Sequence, residues 1–134
     1  MANINNNNQS ENKRDIVHDK FKGAYGVFSK DLLEHESIDI IKNFMQFGIK
    51  DKDVTSSQLC NVFNVIIDKK MGNAAKRIKL TYILARNNTE GMRVLINMLD
   101  KMLSNGCKYN TIRNFAEACV AYHKYFETLK NNNI

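Results

Sequence analysis

The stretch Thr89-Glu90-Gly91-Met92-Arg93-Val94-Leu95-Ile96-Asn97-Met98-Leu99-Asp100-Lys101-Met102-Leu103-Ser104-Asn105-Gly106 decides the fold class. Met92, Leu95, Ile96, Leu99, Met102 and Leu103 recur at steps of three and four, which gathers them on one face of a helix. Thr89 stands where an N-cap hydroxyl is needed, and Asn105 with Gly106 supplies the stop. Such a helix needs other elements to cover its apolar face, and the same period continues in both directions.

Towards the C-terminus, a helix starting near Asn110 or Thr111 buries Ile112, Phe115, Ala116, Cys119, Tyr122, His123 and Phe126, with Arg113, Glu117 and Lys124 turned the other way. On the N-terminal side, Asn73 is expected to cap a helix over residues 74–86. Its Ile78, Leu80, Tyr82, Ile83, Leu84 and Ala85 leave little of the circumference polar, so it should run through the middle of the bundle. Before it, Thr55 with Gln58 reads as a capping box opening a stripe of Leu59, Val62, Phe63 and Ile66 that ends near Met71 and Gly72. Earlier still, Ser29 is expected to cap a helix with Leu33, Ile40, Phe44 and Phe47 on one side and Gly48 as its stop. The part before Glu36 can form a separate short helix, and one turn around Ile16 and Val17 is left open.

Proline is absent and no segment alternates as a strand does. The expected fold is all-α, a single compact bundle of about five helices over residues 15–130. The Asn-rich residues 1–14 and the short end 131–134 are too polar to repay their ordering entropy and are expected to be disordered tails. A chain of 134 residues suits one domain. Three cysteines at spacings that frame no disulfide scaffold, with no signal peptide and no membrane-spanning apolar run, point to the cytoplasm.

The net charge of +6 is not spread evenly. Residues 1–67 hold eight bases and nine acids, and residues 87–134 hold six and four, whereas Asp68 to Arg86 hold Lys69, Lys70, Lys76, Arg77, Lys79 and Arg86 against one acid. At 100° per residue, Lys76, Lys79 and Arg86 fall within about 80° of each other. A solvated face that merely shields a core helix is the plain explanation, but such faces usually mix signs. The asymmetry points to a compact polyanion, with Lys69 and Lys70 extending the patch along a phosphate backbone.

No active site can be assembled from the remaining chemistry. Cys119 and His123 share a helix face at a spacing of four, half of a metal site, but Cys60, Cys107, His18 and His35 offer no paired ligands to complete it; both belong to the apolar stripe, and no metal or cofactor is expected. No cysteine and histidine pair is nominated as nucleophile and base, and the scattered glycines match no phosphate-cradling loop. Among aromatics able to stack on unpaired bases, Tyr82 and Tyr122 read as core, which leaves Tyr109 and Tyr125.

Three stretches, in order, carry a resemblance: Thr55-Ser56-Ser57-Gln58-Leu59-Cys60-Asn61, then Arg77-Ile78-Lys79-Leu80-Thr81-Tyr82-Ile83-Leu84-Ala85-Arg86, then Phe115-Ala116-Glu117-Ala118-Cys119-Val120-Ala121-Tyr122-His123-Lys124-Tyr125. Together they resemble the small subunit of the type III-A (Csm) CRISPR effector complex, over roughly residues 55–126. The C-terminal string is the most specific and fits this family better than the small subunit of the related type III-B complex. The resemblance implies a helical, non-catalytic, RNA-binding subunit of an antiviral ribonucleoprotein. It would be present in several copies beside guide RNA and single-stranded target RNA and the other subunits. The oligomeric state of the free subunit is left open by the sequence, pairing as a homodimer through apolar faces being one expectation.

By position, Lys79 and Arg86 match the family's basic residues on the central helix, and Arg77 a position that is often basic. With Lys69, Lys70, Lys76 and Lys124 they make up the expected RNA-binding set. Two departures stand out. Cys60 replaces an arginine of the family's Leu-Arg-Asn, a contact that Lys52 or Lys69 would have to supply, and Ala85 replaces a glycine that often precedes the matched arginine. Glu117 is read as a polar partner of Arg113, four residues earlier. The competing functions are a DNA-binding helical regulator with its turn at Gly72 and Asn73, and a protein adaptor without RNA affinity using a Met92, Met98 and Met102 face.

Overall fold

The computed structural model describes residues 4–132, and side chains from residue 13 to 131. All regular structure among the described residues is helical: α1 (Ile4–Lys22), α2 (Tyr25–Phe28), α3 (His35–Lys50), α4 (Ser56–Ile67), α5 (Asn73–Arg86), α6 (Glu90–Ser104) and α7 (Tyr109–Asn132). The all-α expectation therefore holds, with seven helices in place of about five. The added ones lie at the N-terminus. The boundary expected at residue 14 falls inside α1, while residues 1–3 and 133–134 of the two expected tails lie outside the described residues. Among the described residues no helix is long and apolar enough to cross a membrane.

The helix α7 is the axis of the bundle, with α3 and α4 packed along it, α1 laid over α3, and α6 pairing with α5. What anchors α1 is an aromatic cluster. Phe21 stacks on Phe44 with ring centroids 4.0 Å apart, meets Phe28 at 5.0 Å and Phe115 at 5.9 Å, and His18 lies 5.3 Å from Phe44. Phe21, Phe28, Phe44 and Phe115 are all fully buried. Each ring removes a large apolar area from water, which offsets the poor helix propensity of the Asn-rich segment before it.

Caps separate the legible helix starts from the others. Thr55 and Thr89 accept hydrogen bonds from the backbone N–H groups of Gln58 and Met92, as their positions predict. Only half of the capping box at Thr55 forms, because Gln58 is buried and its Oε1 has no partner among the described residues. Ser29 is not a helix start but the C-cap of α2, its N–H donating to Tyr25 O, and α3 begins after Glu34. Nor is Asn73 the cap of α5; Gly72 holds that place, and the Asn73 side chain donates to Leu103 O at 3.2 Å, tying α5 to the end of α6. Gly106, with φ of +73°, turns the chain out of α6 in the left-handed conformation that glycine adopts without steric cost.

Gly48 does not end α3, which continues to Lys50; the absence of a side chain there lets Val54 pack against the helix. Val54 is also the point where three helices meet. Its carbonyl accepts a 2.7 Å hydrogen bond from His123 Nε2 on α7, which fixes the proton on that nitrogen, and its side chain touches Gly91 at the start of α6. A Cβ on Gly91 would stand 2.7 Å from Asp53 Cβ and 3.0 Å from Val54 Cγ2. Gly91→Ala is therefore expected to destabilise the fold by about 1–3 kcal/mol through overpacking, read as a lower midpoint in urea denaturation with unchanged slope.

Candidate nucleic-acid interface

The helix α5 does not run through the middle of the bundle. It packs on α4 along one flank and α6 along the other, and only Lys76 and Leu80 are buried on it, whereas Ile78 is 61% and Tyr82 67% exposed. The buried line is Lys76, Leu80 and the half-buried Ile83, at steps of four and three. Residues on the opposite side of this line therefore point to solvent, and Tyr82 is a surface ring rather than a core one.

This placement divides the basic block into residues with different tasks. Lys76 is 5% exposed, and its ammonium donates to Ile66 O at 2.8 Å. Ile66 lies in the last turn of α4, where carbonyls lack helical partners, and the next carbonyl, Ile67 O, accepts from the Tyr109 hydroxyl at 2.9 Å. Two side chains thus close the C-terminal end of α4, and a cation there also complements the helix dipole. The Lys76 ammonium stands 5.1 Å and that of Lys69 5.5 Å from the centroid of the Tyr109 ring. Burial lowers the Lys76 pKa from the ordinary lysine value, with Asp68 opposing the shift. Lys76 is thus absent from the exposed basic face expected of it, because the helix turns it inward.

Arg77 points to the other flank. Its guanidinium meets both Asp100 oxygens on α6, Nε at 2.7 Å and Nη2 at 3.3 Å, and this hydrogen bond raises its pKa. Among the described residues, Lys69, Lys70, Lys79, Arg86 and Lys124 are exposed and have no carboxylate within ion-pairing distance. Lys79 and Arg86 of these share a concave surface. Val65 of α4 with Lys79, Tyr82, Ile83 and Arg86 of α5 line an open groove of about 330 Å³. Lys69 and Lys70 sit in the turn before α5 and Lys124 on α7, outside that groove.

A larger depression of about 590 Å³ between α1, α2 and α3 is lined by Lys20, Glu36, Asp39 and Asn43 among others. Two acids against one base make it unsuited to a polyanion. The groove beside α5 combines unpaired cations, an exposed ring and no acid.

The other singled-out residues fall into the scaffold. Cys119 and His123 are buried, burial raises the Cys119 pKa, and among the described residues no three His, Cys, Asp or Glu side chains gather as metal donors. Tyr109 is half-buried and spends its hydroxyl on α4; Tyr122 is half-buried, and Tyr125 is exposed with its ring 5.2 Å from that of Phe126. Glu117 pairs with Arg113 at 3.9 Å. Met92, Met98 and Met102 are buried, so they offer no adaptor face. Cys60 and Ala85 are both exposed.

The described residues thus form a helical bundle with a basic groove beside α5 that includes the exposed Tyr82 ring. No known protein family, curated protein or solved structure matches it.

Proposed function

We propose that this chain is the RNA-binding small subunit of a type III-A CRISPR effector complex: a cytoplasmic, non-catalytic protein of antiviral defence that holds the backbone of guide or target RNA. The observation that carries the reading is that Lys79 and Arg86, the two positions matching the family's basic residues, are exposed, without acidic partners among the described residues, and line one groove. Lysine and arginine on a rigid helix suffice for this task, because guided complexes delegate sequence selection to base pairing. A single copy binds weakly, and several copies along an assembled complex convert that into firm holding by effective concentration.

The test is fluorescence anisotropy with an unstructured single-stranded RNA over a series of salt concentrations. Affinity should fall with salt with a log-log slope of about −1.4 for two neutralised phosphates, and steeper where Lys69 or Lys70 joins. A slope near zero, or no binding at low salt, overturns the proposal. The exposed pair Ile78 and Tyr82 favours one other reading, a helical adaptor that contacts a protein through α5. That reading requires RNA affinity to be absent. A DNA-reading helix is less well supported, since the exposed cations Lys79 and Arg86 lie in a groove beside α4, and the outermost positions, Ala75, Ile78 and Tyr82, carry no amide or guanidinium to read base edges.

A further inference from the structure

We infer that Tyr82 is a stacking platform for an unpaired base of a single strand whose phosphates lie on Lys79 and Arg86. The inference rests on the RNA-binding reading above and adds the form of the ligand: the groove takes unpaired RNA in preference to duplex.

Three observations carry it. First, Tyr82 is 67% exposed, whereas Ile83 beside it is half-buried and Leu80 fully buried, so its ring is not needed by the core. Second, Lys79, Tyr82 and Arg86 follow at steps of three and four, which places them within about 60° of arc, with the ring between two cations about 10 Å apart along the axis. Third, the charge on this groove has one sign: neither cation has an acidic partner among the described residues, and none of the groove's lining residues is an acid.

A surface ring flanked by unneutralised cations suits a ligand that is anionic along its backbone and flat and apolar in its bases. Single-stranded RNA has both properties. In duplex RNA the base faces are already stacked, so only the phosphates would remain for this surface to hold. A protein partner covering Ile78 and Tyr82 would instead have to bring its own acids to the groove.

The experiment compares three ligands at one salt concentration: an oligoadenylate single strand, an abasic strand of the same length and charge, and an RNA duplex of the same number of phosphates and therefore half the length. The proteins are the wild-type chain, Tyr82→Phe and Tyr82→Leu; leucine keeps apolar bulk but removes the π face. Wild type should bind the base-bearing strand about five- to tenfold more tightly than the abasic one, as one stacked base allows. Tyr82→Phe should keep that ratio. Tyr82→Leu should bring it close to one with the salt slope unchanged, because the phosphate contacts persist.

If wild type shows salt-sensitive binding but no preference for bases, the stacking inference fails and the RNA-binding reading stands. The stacking inference fails equally if Tyr82→Leu keeps the preference, or if it changes only the sedimentation of the protein, which would mark the ring as a contact between protein chains. If wild type binds none of the ligands in a salt-dependent way, the RNA-binding reading fails and this inference with it. Should Tyr82→Leu not fold, Tyr82→Ala at this exposed position takes its place, and a wild-type ratio near one overturns the inference by itself.

Discussion

Lys79→Glu combined with Arg86→Glu is expected to lower affinity for single-stranded RNA by about 25-fold at 0.1 M salt, and to reduce the salt slope by about 1.4. Each lost phosphate contact removes about 0.7 from the slope for a single strand, and the loss of two at that salt accounts for the change in affinity before any repulsion is counted. The introduced carboxylates repel the backbone and deepen the effect. Both side chains are exposed and without acidic partners among the described residues, so the fold should tolerate the change, apart from a modest cost of placing an acid in the last turn of α5. Arg77→Ala is the informative control. Its guanidinium is already engaged by Asp100, so its removal should leave the salt slope nearly unchanged. An equal loss of affinity in Arg77→Ala and the double variant, measured by anisotropy with matched thermal melts, would mean that the groove is not the contact surface and that only the overall charge matters.

The contrast between Lys79 and Lys76 shows where sequence reasoning reaches its limit. Both lie within the arc that a helical wheel marks as basic, and local spacing alone does not say which edge of that arc meets a neighbour. The buried line of Lys76, Leu80 and Ile83 is visible in the sequence only after one knows that α4 and α6 flank α5. The apolar residues around α5 suggest a central helix only if Ile78 and Tyr82 count as core; both are on the surface. Interactions within one turn are easier to read. Thr55 and Thr89 act as caps because the donors they satisfy lie three residues away, and the stripes of α6 and α7 follow from spacing alone.

The N-terminus is hard to read for the opposite reason. α1 carries few apolar residues, and Phe21 and His18 gain their burial from Phe44 and Phe115, which are distant in the chain. Gly48 misleads in the same way: its place in the sequence signals a stop, although what it provides is room for Val54. The charged segment is legible as a region, and the exposed groove within it is not, since Tyr82 joins Lys79 and Arg86 only once Leu80 and Lys76 have been turned inward.

Lys76→Glu should destabilise the protein by about 3–5 kcal/mol, the cost of leaving a charge buried without a partner, and lower the Tm by about 10–20 °C. The wild-type ammonium donates to Ile66 O beside Tyr109 in a site that is 5% exposed; a carboxylate there would face a carbonyl oxygen and the negative end of α4. Lys76→Met keeps the aliphatic stem but leaves Ile66 O without its donor, and should cost less, about 1–2 kcal/mol. Because the ammonium is committed to α4, Lys76→Met should leave RNA affinity within about twofold, the residual effect of a screened charge. The pH dependence has a defined sign. Burial lowers the folded pKa of Lys76 from 10.5, so in the alkaline window between the folded value and 10.5 the unfolded chain holds a proton that the folded chain has lost. Stability attributable to this residue therefore rises with pH across that window. The difference in unfolding free energy between wild type and Lys76→Met, followed by urea denaturation, should grow as pH climbs through it. A difference that stays flat would place the Lys76 ammonium in water, and with it back among the candidates for phosphate contact, whereas one that shrinks would mean a folded pKa above 10.5 and an acidic partner.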